Sequence, residues 1–324
     1  MTVLSLRRAF LGLACASAAL LAACGSSTTE SALTPSRIIA FGDAFSVVTP
    51  GAKYTVNDSS INNWVTQFAS SYGLSVAPNA SGGQVYAQGN ARIGTKPDAA
   101  GSSTTLTVTE QVDTFLAGNS LGANDVVLIN GGISDLVVDM AAVTAGSLSE
   151  SQMQANAAQY GKDLGAQVRR LVNAGGKHVV VVGPYNLGIT PWATTLGKTD
   201  LLKQSSSKFN EAMLVSIVDL GSTVLYIDAT YYFNLVSATP TGYGFVTEST
   251  LHDSYTPKIA CTSVDSGAGI GTGSNQVNSS LCTTSTIASG VTYDQYLFAD
   301  NLYFTPLGQR LFGLYAYDKV HLRW

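Results

Sequence analysis

Short apolar runs with no polar alternation recur along the chain: Ile38–Phe41 (IIAF), Asp125–Asn130 (DVVLIN), His178–Val182 (HVVVV) and Thr223–Ile227 (TVLYI). Runs of this length without alternation suit strands buried on both faces of a parallel sheet. Leu74–Pro78 (LSVAP) reads as a further short strand. Between them the apolar positions change to helical spacing. Ile61–Tyr72 places Ile61, Trp64, Val65 and Phe68 on one side, with candidate caps in Asn57–Ser60, and Leu106–Leu116 does the same with Val108, Val112 and Phe115. Ser149–Asn173 is a long amphipathic segment with Ser149 and Ser151 as caps, Leu201–Leu220 is another helix, and Asp228–Val236 is a short one. Thr305–His321 closes the series, with Pro306 in its first turn. Strands alternating with helices predict βαβ units: an α/β domain with a central parallel sheet sandwiched between two helical layers. From about 237 to 294 both periodicities fade, which predicts an irregular insertion within one domain spanning 37–324.

The amino-terminal region follows other rules. Arg7 and Arg8 precede an apolar stretch, Ala9–Ala23, that is short of the roughly 20 residues of a spanning helix. Residues 1–23 therefore read as a cleaved export signal. The stretch ends in Leu21-Ala22-Ala23-Cys24, which resembles the processing box of bacterial lipoproteins. That resemblance implies acylation of Cys24 and a membrane anchor through it, and Gly25 in the following position implies the outer membrane of the cell envelope. Residues 24–36 are small and polar and read as a flexible tether.

Composition narrows the partners. The chain has a formal charge of −4 with 12% charged residues, so no basic tract exists to neutralise nucleic-acid phosphates. Once Cys15 leaves with the signal and Cys24 is acylated, Cys261 and Cys282 remain in an exported protein, where a disulfide is expected. They do not suggest a metal site, since the one histidine near them is His252. No cofactor motif is present.

The chemistry is concentrated in four stretches. Phe41-Gly42-Asp43-Ala44 ends the first strand, and Tyr86-Ala87-Gln88-Gly89-Asn90-Ala91-Arg92 lies in a glycine-rich loop, Gly82–Ile93, read as part of the active face. Gly132-Ile133-Ser134-Asp135 follows the second strand, and Asp300-Asn301-Leu302-Tyr303-Phe304-Thr305-Pro306 opens the last helix. In this order they resemble the blocks of the SGNH (GDSL-type) hydrolases, and the resemblance covers Arg37–Val320. It implies the flavodoxin-like three-layer fold of that family. It also implies a site in which a serine attacks an ester carbonyl, a histidine takes its proton, an aspartate orients the histidine, and a glycine and an asparagine hold the oxyanion. Gly89 and Asp300 match their positions. Ala44 stands where the serine belongs, Ser134 where the asparagine belongs and Tyr303 where the histidine belongs.

Alanine has no nucleophilic atom, and a tyrosine of ordinary pKa near 10 is a poor base at neutral pH. The expected function is accordingly a degenerate family member, an envelope lipoprotein that binds an acyl-ester, lipid or glycan ligand or a partner through the remnant site. The alternative is an ester hydrolase of acyl esters working with displaced groups, Ser134 and His252. Asp43 is expected to shape the turn, and Ser46 to face away from the site. His178 is expected at a strand end, and His321 at the carboxyl end of the last helix, where a cation suits the dipole.

Overall fold

A computed structural model describes residues 31–250 and 256–324. Four parallel strands lie in sequence order, β1 (Arg37–Phe41), β2 (Asp125–Asn130), β3 (His178–Val182) and β4 (Val224–Tyr226). The register pairs Arg37 with Asp125, Val126 with His178 and Val179 with Val224. All six residues of β2 are buried, as the unbroken DVVLIN run requires of a strand with helices on both faces.

One helical layer holds α2 (Val108–Gly118), α3 (Ile133–Thr144), α4 (Glu150–Asn173) and α6 (Thr199–Ser216); α5 (Pro191–Leu196) leads into α6. The other layer holds α1 (Trp64–Ser71), α7 (Ala229–Ala238) and α8 (Pro306–Arg323), joined where Trp64 and Phe233 each pack on Phe312, at ring-centre distances of 5.5 and 5.4 Å. The expected three-layer α/β sandwich is therefore present. Among the described residues no helix is long and apolar enough to cross a membrane.

Several elements differ from the sequence reading. Leu74–Pro78 forms no strand; instead the chain at Gln84–Tyr86 runs beside β1, with the Ala40 amide donating to Gln84 O and the Tyr86 amide to Ala40 O. Part of the glycine-rich loop thus belongs to the sheet edge. Helix α1 begins three residues later than its apolar spacing suggests, capped by Asn63, whose side chain accepts from the Val65 and Thr66 amides, rather than from within Asn57–Ser60. The Leu201–Leu220 segment starts earlier, at Thr199, and its last three residues tighten into a 3-10 turn, Val218–Leu220. Helices α3 and α5 went unpredicted. Helix α3 has its apolar residues Ile133, Leu136, Val137 and Met140 at helical spacing, but Gly132 before it offers no side-chain cap to mark its start.

The described residues of the insertion hold short 3-10 turns, an antiparallel pair, β5 (Val264–Asp265) and β6 (Gln276–Val277), and the Cys261–Cys282 disulfide. It reaches back over the carboxyl ends of the strands. Asn90 Nδ2 donates to Gly269 O at 2.9 Å, and a methyl on Gly271 would come within 2.6 Å of Ala99 O. At the opposite edge, the Ala32 amide donates to Trp324 O at 3.1 Å, Leu33 is buried and the Ser36 amide donates to Asn124 O at 2.9 Å. Residues 32–36, grouped with the tether by composition, are thus docked on the domain.

Helices α4 and α6 approach closely because α4 presents Gly161 and Gly165 to its neighbour. A methyl on Gly161 would come within 2.1 Å of Phe209 O, and one on Gly165 within 1.9 Å of Ser216 Oγ. Helix propensity alone makes Gly→Ala favourable by about 1 kcal/mol. Overpacking against a neighbouring backbone reverses that sign, so Gly161→Ala is expected to destabilise by about 2 kcal/mol. The midpoint of urea unfolding checks this; an unchanged or raised midpoint contradicts the close approach.

Candidate functional site

The turn leaving β1 is held by buried polar groups. The Gly42 amide donates to Gln111 Oε1 at 2.8 Å, and Gln111 Nε2 returns a bond to Gly42 O at 2.9 Å. Gly42 has φ of +155°, and a methyl there would lie 1.7 Å from Asn130 Oδ1, so no other residue fits. Asn130, the last residue of β2, donates through Nδ2 to Asp43 Oδ1 at 2.6 Å and accepts from Ser46 Oγ at 2.6 Å. The Trp64 indole donates to Ser46 Oγ at 3.1 Å, while Asn63 Nδ2 donates to Phe45 O and Val47 O at 3.2 and 3.1 Å. Ser46 is committed to this network and Asp43 caps the turn, accepting from the Phe45 amide at 3.1 Å. Ala44 sits in the middle of the turn, 1% exposed, with a methyl as its whole side chain.

Two further blocks meet beside this turn. The Asp135 carboxylate joins them, accepting from the Ile93 amide at 3.1 Å and facing Arg92 Nε at 3.4 Å. Gly132 enters α3 with φ of +105°, and Ser134 follows in the first turn, 1% exposed, its hydroxyl with no hydrogen-bond partner among the described groups. Asn90 takes the left-handed conformation with φ of 61°. The Tyr54 phenol covers Gly89 so closely that a methyl on the glycine would come within 1.9 Å of the hydroxyl.

The last block completes the arrangement. Asp300 is fully buried; Oδ1 accepts from the Leu302 and Tyr303 amides at 2.8 and 2.6 Å, and Oδ2 from the Ser279 amide at 2.9 Å. Both oxygens are therefore spent on backbone, and the partner of Asp300 in residue 303 is its amide rather than its hydroxyl. Tyr303 is 1% exposed and packs edge-on against Tyr54 with ring centres 5.2 Å apart. Burial, with the nearby Asp43 charge adding to it, holds its phenol well above the ordinary tyrosine range, which further removes it from service as a base.

Of the sequence candidates, Ala44, Gly89, Ser134, Asp300 and Tyr303 all fall at the carboxyl ends of the strands or in the loops packed there. His252 lies outside the described residues, as does Cys24. His178 begins β3 with its ring 5.0 Å from Trp324, and His321 stacks on Tyr317 at the end of α8, so both stand at the amino edge of the sheet. Among the described residues no cluster of histidine, cysteine or carboxylate has metal-binding arrangement. The sequence reading missed Tyr54, Gln111 and Asn130. Asn130 carried a signal, a polar residue closing an otherwise apolar buried strand; Tyr54 carried none.

Burial raises the Asp43 carboxyl to about 6 and the Asp135 carboxyl to about 7, against hydrogen bonds and Arg92 that pull them down; Asp300 is raised by the same cause. The unfolded chain releases these protons near pH 4, whereas the folded chain holds them longer. Their contribution to stability is thus full below pH 4 and falls as pH rises through 6 and 7. Urea unfolding is expected to give a free energy lower by about 4 kcal/mol at pH 8 than at pH 5, and Asp43→Asn to flatten the part of the slope below pH 6. A slope of opposite sign contradicts this assignment.

Comparison with known proteins bears on the family through one match. No curated protein matches the chain. Two crystal structures are similar, one at 15% identity covering 89% of this chain and 97% of its own, with a TM-score of 0.47. The other is 14% identical over 61% of this chain and 88% of its own, with a TM-score of 0.37. At those scores neither bears on function. The profile described as GDSL-like Lipase/Acylhydrolase matches residues 38–316, from β1 into the last helix. The chain belongs to the GDSL-like lipase/acylhydrolase family.

Proposed function

We propose that this protein keeps the scaffold of the family without its ester chemistry, and acts as an envelope lipoprotein, anchored through Cys24, that binds a ligand or partner at the remnant site. The observation that carries the reading is the β1 exit turn. Residue 44 has no side-chain oxygen, and of the oxygens flanking it Asp43 Oδ1 and Ser46 Oγ are bound into the turn's own hydrogen bonds, while Asp43 Oδ2 is buried without a partner and, as a carboxylate oxygen within the turn, has no base beside it. The other positions support it: a phenol with a raised pKa replaces the base, and the carboxylate that orients a histidine in the family serves backbone amides instead. Ser134 has a free hydroxyl at the site but no titratable base bonded to it. Ala44, Ser134, Asp300 and Tyr303 are themselves buried, so an acyl-ester, lipid or glycan group or a partner's loop would be received by the open cavity beside them, lined by Thr49, Asn79, Tyr86, Ala87, Gln88 and Leu106.

Hydrolysis of p-nitrophenyl butyrate tests this. The parent is expected to match the buffer rate. Reinstating the family groups by Ala44→Ser, Ser134→Asn and Tyr303→His is expected to give activity only when Tyr54→Ala also clears Gly89. Leaving Ser134 in place is expected to cost that variant about a hundredfold, the worth of one oxyanion donor. Hydrolysis by the parent that Ser134→Ala abolishes overturns the reading in favour of an enzyme with displaced groups.

A further inference from the structure

The amino edge of the sheet carries an apolar patch that the fold does not use. Val218 and Leu322 are 78% and 80% exposed, and Val215, one turn before Val218, is 75% exposed. Val215 lies at the carboxyl end of α6, Val218 opens the 3-10 turn that follows it and Leu322 lies at the carboxyl end of α8; the two chain segments are joined where Arg323, next to Leu322, donates to Gly221 O. Isolated exposed aliphatics are ordinary on a soluble surface, but three of this exposure at one corner are not needed for solubility or packing.

Their position relative to the chain's entry gives them a partner. Ala32 is bonded to Trp324 at this same edge, and Trp324 rests on His178 at the start of β3. Counting from Cys24, only seven residues precede Ser31. Fully extended, seven residues reach at most about 25 Å. A bilayer holding acyl chains on Cys24 is thus never farther than that from this edge. At such a tether length even weak apolar contacts are populated, because the anchor supplies the local concentration. Exposed Lys177, beside β3, and Arg323 add positive charge that suits an anionic leaflet.

We infer that the amino edge of the sheet, through Val215, Val218 and Leu322, rests in the interfacial layer of the bilayer that holds Cys24. The inference depends on the lipoprotein reading above and deepens it. The strands are parallel, so the remnant site at their carboxyl ends then faces away from the anchoring leaflet. Its ligand approaches from the aqueous side and is not a lipid resident in that leaflet.

The test uses the full chain expressed with its signal, purified in detergent and reconstituted into phosphatidylethanolamine–phosphatidylglycerol vesicles containing a lipid with a nitroxide near the headgroup. With Cys24 acylated and Cys261 and Cys282 bridged, one added cysteine is the single free thiol. A fluorophore on Val218→Cys or Leu322→Cys is expected to lose about half its emission to the nitroxide lipid, as side chains inserted 5–10 Å deep do. The same fluorophore on Thr49→Cys, exposed just past the β1 exit turn, is expected to keep its emission. Mass spectrometry of the amino-terminal peptide separates the two readings. An unmodified Cys24 overturns the lipoprotein reading and this inference with it. An acylated Cys24 with equal emission at all three positions overturns this inference alone, as does quenching at Thr49→Cys only.

Discussion

The side-chain amide of Asn130 joins the exits of the first two strands, and the remainder of the site is arranged around it. It gives one hydrogen to Asp43 and takes one from Ser46, both buried, so the β1 turn is fixed by bonds that water cannot replace. A buried carboxylate and amide left unpaired would each cost on the order of 1–3 kcal/mol. Gly42 follows from the same amide, since any side chain there would collide with it. Gln111 then holds the peptide of Gly42 from the α2 side. The bonds that set this turn run between Asn130, Asp43, Ser46, Gly42 and Gln111, and none of them involves the side chain of residue 44.

Around that polar knot the interior is aromatic. Phe45, next to Ala44, meets Trp64, Tyr185, Phe304 and Phe312 with ring centres 5.5–6.1 Å apart, tying the β1 exit to α1, α8 and the last sequence block. Phe233 stacks on Phe304 at 3.8 Å, and the Tyr185 hydroxyl donates to Leu302 O. Active sites commonly hold poorly packed polar groups at some cost in stability. Here Tyr303 and Tyr54 fill that space with rings, and the Asp300 carboxylate serves as a cap. On the proposed reading, the positions that once needed freedom have been given over to packing.

The sheet was legible in the sequence because its strands are buried on both faces and so are spelled as unbroken apolar runs; β2 and β3 match those runs end to end. The disulfide pairing was legible from compartment and count. Helix α3 was not, because a glycine in a left-handed conformation opens it and leaves no capping side chain to read. Leu74–Pro78 misled because strand propensity does not say which edge is free, and the edge of β1 is taken by Gln84–Tyr86 instead. The family blocks placed residues 44, 89, 134, 300 and 303 on one face, yet their spacing could not reveal that Tyr54 covers Gly89. That contact joins positions 35 residues apart through a loop without periodicity.

The interlocking of Tyr54 with Tyr303 couples two distant parts of the chain. If either ring alone reverted to a smaller polar group, the other would be left beside a void, and voids of aromatic size in a packed interior cost on the order of several kcal/mol. Substituting either ring alone therefore unsettles its partner, and the two positions have to be changed together for the packing to be kept. The pair is thus a mechanical latch between the loop carrying Tyr54 and the last sequence block, holding the cover over Gly89 in place.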